Sequence, residues 1–226
     1  MHFLVTSAIK SDFGVFSHHD RYMQTLDTIK SIRTYAPNSA ITLVELSVNR
    51  SDEYVSLIAD QVDEVIEYTS DPMVKQIPVA WNDQNIAKSL TETYVLGNLL
   101  ETWSTSKSRV YKLSGRYCLT EEFDLAEQLA GPDQFVFKDK WATNWPEGMT
   151  DIPYQYPTYG YSFPADQTIL MSNVFKNSHE LILEHVNMGR YCDVEHAMYN
   201  FIPEEKVKLI NKNTVAGLIA QHGKSS

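Results

Sequence analysis

Long apolar runs are missing from this 226-residue sequence: nowhere do about 20 apolar residues follow one another, so no membrane-spanning helix is expected. Cysteine is nearly missing too. Cys118 and Cys192 are too few for a disulfide framework, and nothing spaces them for a metal. Two lone thiols suit a reducing cytoplasm. Positive charge is in deficit, with 19 Lys and Arg against 29 Asp and Glu and a formal net charge of -10. Binding a nucleic-acid backbone needs a large cationic surface that displaces counterions, so nucleic acid is not an expected partner; a local basic pocket for one small anion stays compatible with this charge. The opening Met1-His2-Phe3-Leu4-Val5-Thr6-Ser7 has no basic stretch leading into a long apolar segment, so no signal peptide is expected.

Several chemistries lack their signatures. No Gly-x-Gly-x-x-Gly follows the first strand, which argues against the usual dinucleotide site. A Gly-x-x-x-x-Gly-Lys-Ser/Thr phosphate loop is absent, as are the Gly-x-Ser-x-Gly elbow and the His-Glu-x-x-His helix of two common hydrolase templates.

What is present is an ordinary globular balance, 43% hydrophobic and 21% charged residues, in a chain long enough for one α/β domain with a sizeable core. Its first half alternates short strand-like and longer helix-like segments. Phe3 to Ala8 reads as a strand, and Asp20 to Tyr35 as a helix with Tyr22, Leu26, Ile29 and Ile32 at a period near 3.6. Pro37 stops that helix. Ile41 to Leu46 and Glu64 to Tyr68 read as strands, with a short helix from Ser51-Asp52 to about Asp60 between them. A loop holding Pro72 and Pro78 leads to a strong helix from about Asp83 to Trp103, then to a fourth strand, Arg109 to Ser114. Such alternation implies crossover connections and a mainly parallel, twisted sheet flanked by helices.

The second half differs. Phe135 to Leu170 is rich in proline, Trp and Tyr and poor in helical periodicity. Asp166 to Met171 reads as a strand, Val174 to Gly189 as a helix, and a further helix starts near Asp193. With no linker or repeat, residues 1–226 read as one domain, about 1–117 forming one half and about 118–226 the other.

Three segments together resemble the small GT-A glycosyltransferases of bacteria and phages. They are Phe3-Leu4-Val5-Thr6-Ser7-Ala8 with the helix beginning Arg21-Tyr22-Met23-Gln24; Lys88-Ser89-Leu90-Thr91-Glu92; and Tyr111-Lys112-Leu113-Ser114-Gly115-Arg116-Tyr117. The resemblance implies a single Rossmann-like domain that takes a nucleotide-sugar donor, with uridine the commonest base, and a saccharide acceptor. Membrane-anchored relatives of the Golgi kind carry a signal anchor, so this chain is expected to be a cytoplasmic protein of a bacterium or of a virus-infected cell, or a trimmed chain.

In that fold the donor lies across the carboxyl ends of the first strands. The resemblance therefore puts Thr6 and Ser7 at the base and ribose, and lets Arg21 and Lys88 reach the cleft; a strand end followed by a turn, and two solvated cations, are the bland alternatives. The family usually carries Asp-x-Asp at the end of the fourth strand, holding a divalent cation against the diphosphate. Here the matching stretch is Ser114-Gly115-Arg116, without a carboxylate, which leaves a manganese or magnesium requirement open.

Lys112, Ser114 and Arg116 can share one face of an alternating strand, so two cations can substitute for the metal, with Gly115 letting backbone approach the ligand. Pairing of Lys112 and Arg116 with surface acids is the alternative. Cys192-Asp193-Val194-Glu195-His196 best matches the family's catalytic carboxylate at a helix start. An inverting transfer would use Glu195, or else Asp193, as base, although helix capping alone also accounts for both. His222 resembles the family's C-terminal metal histidine, but without the carboxylate pair a frayed, solvated histidine is the favoured reading.

Trp141, Trp145, Tyr154, Tyr156, Tyr159 and Tyr161 crowd one irregular stretch. Aromatic rings stack on sugar faces and also build cores; Trp145 and Tyr161 are the residues assigned to an acceptor sugar. The competing reading is a carbohydrate- or nucleotide-sugar-binding protein that keeps the fold without turnover.

Overall fold

The structure, a computed structural model, describes residues 1–217 except 12, 48, 50, 51 and 147. In chain order its elements are β1 (His2–Ser7), α1 (His18–Tyr35), β2 (Ala40–Glu45), α2 (Asp52–Ala59), β3 (Glu64–Glu67), α3 (Pro72–Ala80), α4 (Gln84–Thr102), β4 (Arg109–Ser114), β5 (Tyr117–Leu119) and α5 (Leu125–Leu129). They continue as β6 (Phe135–Phe137), β7 (Trp141–Ala142), β8 (Tyr154–Gln155), β9 (Gly160–Pro164), α6 (Thr168–Asn187), α7 (Val194–Phe201), β10 (Val207–Leu209) and β11 (Val215–Gly217).

Seven strands form one sheet in the order β10-β6-β9-β4-β1-β2-β3. β1 pairs in parallel with both β2 and β4, and β2 with β3. Only β9 reverses, lying antiparallel to β4 and β6. The sheet is mainly parallel as expected, and it draws strands from both halves of the chain.

β1 is buried throughout, as a strand covered on both faces must be. Phe3 and Val5 pack with Leu26 and Ile29 of α1, Ile41, Tyr111 and Leu113. Leu4, between them, packs on the other face with Val95 and Leu99 of α4, Val110, and Val174 and Phe175 of α6. Side chains two apart on a strand share a face. Lys112, two residues beyond Val110, is thereby committed to the side where α4 lies.

Helix starts follow local chemistry. Ser17 and Asp20 form a reciprocal capping box on α1. Asp83 caps α4 by accepting from the amides of Asn85 and Ile86 at 2.8 and 3.2 Å.

Two expectations fail. The segment with Pro72 and Pro78 is helical, not a loop. Asp71 caps it, and Pro72 sits in the first turn, where the missing N–H had no partner to lose. Pro78 falls in the last turn and forfeits one ladder bond. Asp166–Met171 is not a strand but a 3-10 turn, Ala165–Gln167, running into α6. A short apolar run does not fix the period, and Thr168, Met171, Ser172 and Phe175 recur at helical spacing on the buried face of α6. That face meets α4 closely: Ser172 donates to the Gly97 carbonyl at 2.6 Å.

Candidate functional site

The registers of β1 with β2 and β4 bring Ser7 level with Glu45 and Thr6 level with Ser114. Their carboxyl ends open into a cleft of about 380 Å³, walled by α1, α3 and α4. Thr6, Ser7, Arg21, Lys88, Ser114, Gly115 and Arg116 all line it. Lys112 does not.

Gly115 is needed for close approach. Its amide donates to the Thr6 carbonyl at 2.7 Å, and a Cβ there would lie 3.1 Å from that carbonyl oxygen and 3.2 Å from Thr25 Oγ1. Ser7 is held from below by Glu45, a fully buried carboxylate that accepts from the Ser7 and Ser47 hydroxyls and from the Ile9 and Ser47 amides. Burial raises Glu45 above the usual carboxylate range, while these hydrogen bonds oppose the rise. The loops after β1 and β2 are thus tied to one acid.

Arg21, Lys88 and Arg116 converge on the cleft from three elements, and Lys75 of α3 lines it as well. Arg21, 5% exposed, comes from the first turns of α1, and its guanidinium donates to the Ala8 and Phe13 carbonyls. Its Nε is buried with no hydrogen-bond partner among the described residues. Burial, and then the charge of Arg116, lower its pKa. Lys88, half-buried on α4, is pushed down to about 8 by burial and by the charges of Arg116 and Arg21. Arg116, just past β4, lies over the Tyr117 ring at 5.9 Å. All three line one cleft in a chain whose net charge is -10.

These residues do not fit a divalent cation. The end of β4 offers no carboxylate, the cations lining the cleft would repel a metal, and among the described residues no three His, Cys, Asp or Glu side chains gather to hold one. His222 lies outside the described residues.

Lys112 corrects the sequence reading. It is 1% exposed, forms an ion pair with Glu92 of α4, and donates to Ser114 Oγ at 3.0 Å and the Thr158 carbonyl at 2.8 Å. It faces α4 with Ser114, as alternation allows, but its charge is committed to protein groups. Glu92, which also lines the cleft, was missed as a site residue. Its sequence signal is the i, i+4 spacing from Lys88, which puts both on one helix face.

Asp193 and Glu195 are not among the residues lining the cleft. Asp193 is the N-cap of α7, accepting from the His196 amide at 3.1 Å. It also binds His196 Nδ1 at 2.6 Å and accepts from the Tyr191 hydroxyl at 2.9 Å. Burial opposes its charge, but these contacts win and hold it below the usual range. Glu195 goes the other way. Burial and then the Asp193 charge push it up to about 8, although Thr158 Oγ1 donates to its Oε1 at 2.7 Å. The two acids thus divide, one kept ionised and one held near neutral pH. Ser89 ties this end of α7 to α4 by accepting from the Val194 amide at 3.2 Å.

Tyr161 is also corrected. It is 1% exposed and stacks on Phe137 at 5.0 Å in the core between sheet and helices, so it presents no face to a sugar. Its place on β9, opposite Lys112, turns it inward. Trp145 is 39% exposed, with its ring 4.4 Å from that of Tyr191 beside Asp193. A second set of rings leaves the cleft: Arg116 over Tyr117, Tyr117 stacked on Tyr159 at 4.6 Å, and Tyr159 6.2 Å from the exposed Trp141.

No family model and no curated protein matches the sequence. Solved structures do. The galactosyltransferase LgtC, in complex with donor and acceptor sugar analogues, aligns with a TM-score of 0.54 at 12% identity, over 92% of this chain and 73% of its own. An active-site mutant of LgtC gives 0.55 at 13% identity, over 92% and 72%. Likeness at this identity speaks for architecture, and the strand order, the parallel central strands and the cleft at their carboxyl ends agree with it: the chain has a GT-A fold.

Proposed function

We propose that this protein is a glycosyltransferase that moves a sugar from a nucleoside diphosphate donor, a UDP-sugar first of all, to a saccharide acceptor. The observation that carries the reading is the convergence of Arg21, Lys88 and Arg116 on one cleft at the ends of β1 and β4. Fixed cations aimed at a diphosphate stabilise the charge that grows as the sugar leaves, which is the work a metal does elsewhere. The buried Arg21 Nε, without a hydrogen-bond partner among the described residues, has that same use.

In the reaction the acceptor hydroxyl oxygen attacks the anomeric carbon, and the bond from that carbon to the diphosphate oxygen breaks. The nucleoside diphosphate departs with the electron pair, and the hydroxyl proton passes to Glu195. A carboxylate raised toward neutral pH is a better proton acceptor than one at 4.5, provided it is ionised when substrate arrives. This is an inverting transfer with Glu195 as base and Asp193 as the acid that shapes its field. The acceptor assignment keeps Trp145, gives up Tyr161, and adds Tyr159 and Trp141, whose rings lead away from Arg116. We assign the reaction to a bacterial or virus-infected cytoplasm, where the free thiols Cys118 and Cys192 stay reduced.

Calorimetric titration with UDP, GDP and UDP-galactose, each with manganese and with EDTA, tests the donor site. Tight UDP binding that survives EDTA supports the cationic site. Binding only with manganese means carboxylates outside this cleft wall serve the donor. Loss of all nucleotide binding moves the non-catalytic carbohydrate-binding protein to the front.

A further inference from the structure

The donor cleft and the start of α7 are joined by a buried chain of contacts that the transfer step above leaves unused. It begins at Glu92 in the cleft wall, whose carboxylate pairs with Lys112. The same ammonium donates to the Thr158 carbonyl at 2.8 Å. Thr158, 4% exposed, then donates its own hydroxyl to Glu195 Oε1 at 2.7 Å. The segment bearing Thr158 is pinned on both sides: the Tyr156 amide donates to the Glu195 carbonyl at 3.2 Å, and the Ser114 amide to the Tyr159 carbonyl at 2.8 Å. Thr158 thus bridges β4, through Lys112, and α7, through Glu195.

We propose that Thr158 is a positioning residue, held by Lys112, that aims the Glu195 carboxylate and favours its ionised form. The inference rests on Glu195 being the base. A packing role for Lys112 is met by Glu92, Ser114 and the Thr158 carbonyl; it does not call for a hydroxyl directed onto a carboxylate.

The groups facing Glu195 set the need. Asp193 stands at the start of its own helix with His196 bound to it, Tyr191 lies just before, and Glu92 faces it from α4. Burial and the two carboxylates all favour the protonated acid. Lys112 offsets little of this directly, because Glu92 takes its charge. The Thr158 hydroxyl is the side-chain donor that opposes them, since a hydrogen bond to the ionised form favours that form.

Lys112→Met would strand Glu92 in the wall and risks the fold, so Thr158 carries the test. Carbon-13 NMR titration of the glutamate carboxyl carbons in the full chain, with the Glu195 signal identified by its loss in Glu195→Gln, reads the effect without any ligand. We expect Thr158→Val to raise the Glu195 midpoint by about one pH unit, and Thr158→Ser to restore it. In parallel, hydrolysis of UDP-galactose, with water in place of the acceptor, should show the rising limb of kcat moved to higher pH in Thr158→Val with donor KM within about twofold.

A Glu195 midpoint unchanged by Thr158→Val overturns the inference. Full hydrolysis by Glu195→Gln instead removes the base assignment, while the NMR arm still decides whether Thr158 governs the carboxylate.

Discussion

Lys112 and Glu92, twenty residues apart in sequence, form an ion pair in the wall between β4 and α4, with the lysine 1% exposed. Breaking a buried pair by removing one partner leaves the other charge desolvated and uncompensated. Lys112→Met should therefore cost about 3–5 kcal/mol of stability in chemical denaturation, well beyond an ordinary surface substitution. A loss under about 1 kcal/mol would mean that water satisfies Glu92 and the pair is ornamental to the fold.

Arg116 offers the contrasting case. It lines the cleft with Lys88 and Arg21 and is half-buried there. Arg116→Ala should weaken UDP binding about tenfold to hundredfold, the worth of a charge-assisted hydrogen bond. Unchanged UDP affinity in the folded variant would take Arg116 out of the donor site.

The depressed pKa of Lys88 makes donor binding depend on pH. Free, the ammonium is held down to about 8 by burial and by Arg116 and Arg21. A diphosphate favours the charged form, so binding near pH 8 must take up protons, and affinity must fall as pH rises through 8. Titrating UDP in Tris and in HEPES at pH 8 measures the uptake through the difference in apparent enthalpy. Lys88→Arg should abolish it, because arginine stays charged. Identical enthalpies in the two buffers for the wild-type protein would place Lys88 outside the diphosphate's reach.

Glu195 is costly to the fold. Its folded pKa is raised from 4.5 to about 8, so between those values the folded protein holds a proton that the unfolded chain has released. Stability from this group is present below 4.5 and lost as pH rises through about 8. Glutamine does not titrate. Glu195→Gln should lose transfer activity and yet gain thermal stability over wild type as the pH is raised from 5 to 8.5. An equal difference in melting temperature at both pH values would show that the carboxylate pays no burial penalty.

Much of this architecture is legible in the sequence. The strands β1, β2 and β4 and the long helix α4 follow from periodicity and from caps such as Asp83, all of them local signals. Because β1 and β4 are parallel neighbours, residues at their ends must gather at one edge, which is why Thr6, Ser7, Ser114, Gly115 and Arg116 line one cleft. Helical character in the Pro72 segment was hidden because its prolines fall at the ends of α3, where breaking residues do little harm.

Periodicity along the chain already assigns which side chains share a face: Lys112 with Ser114 on the fourth strand, Lys88 with Glu92 on the long helix. What each face meets is set by the packing of distant segments. Strand alternation has a period but no knowledge of which layer covers which side, so it cannot tell that Lys112 turns toward α4 and finds Glu92. Nor can it tell that Tyr161 stacks on Phe137 while Trp141 stays open. Those outcomes depend on contacts between segments far apart in the chain, where burial and charge pairing are settled together by packing.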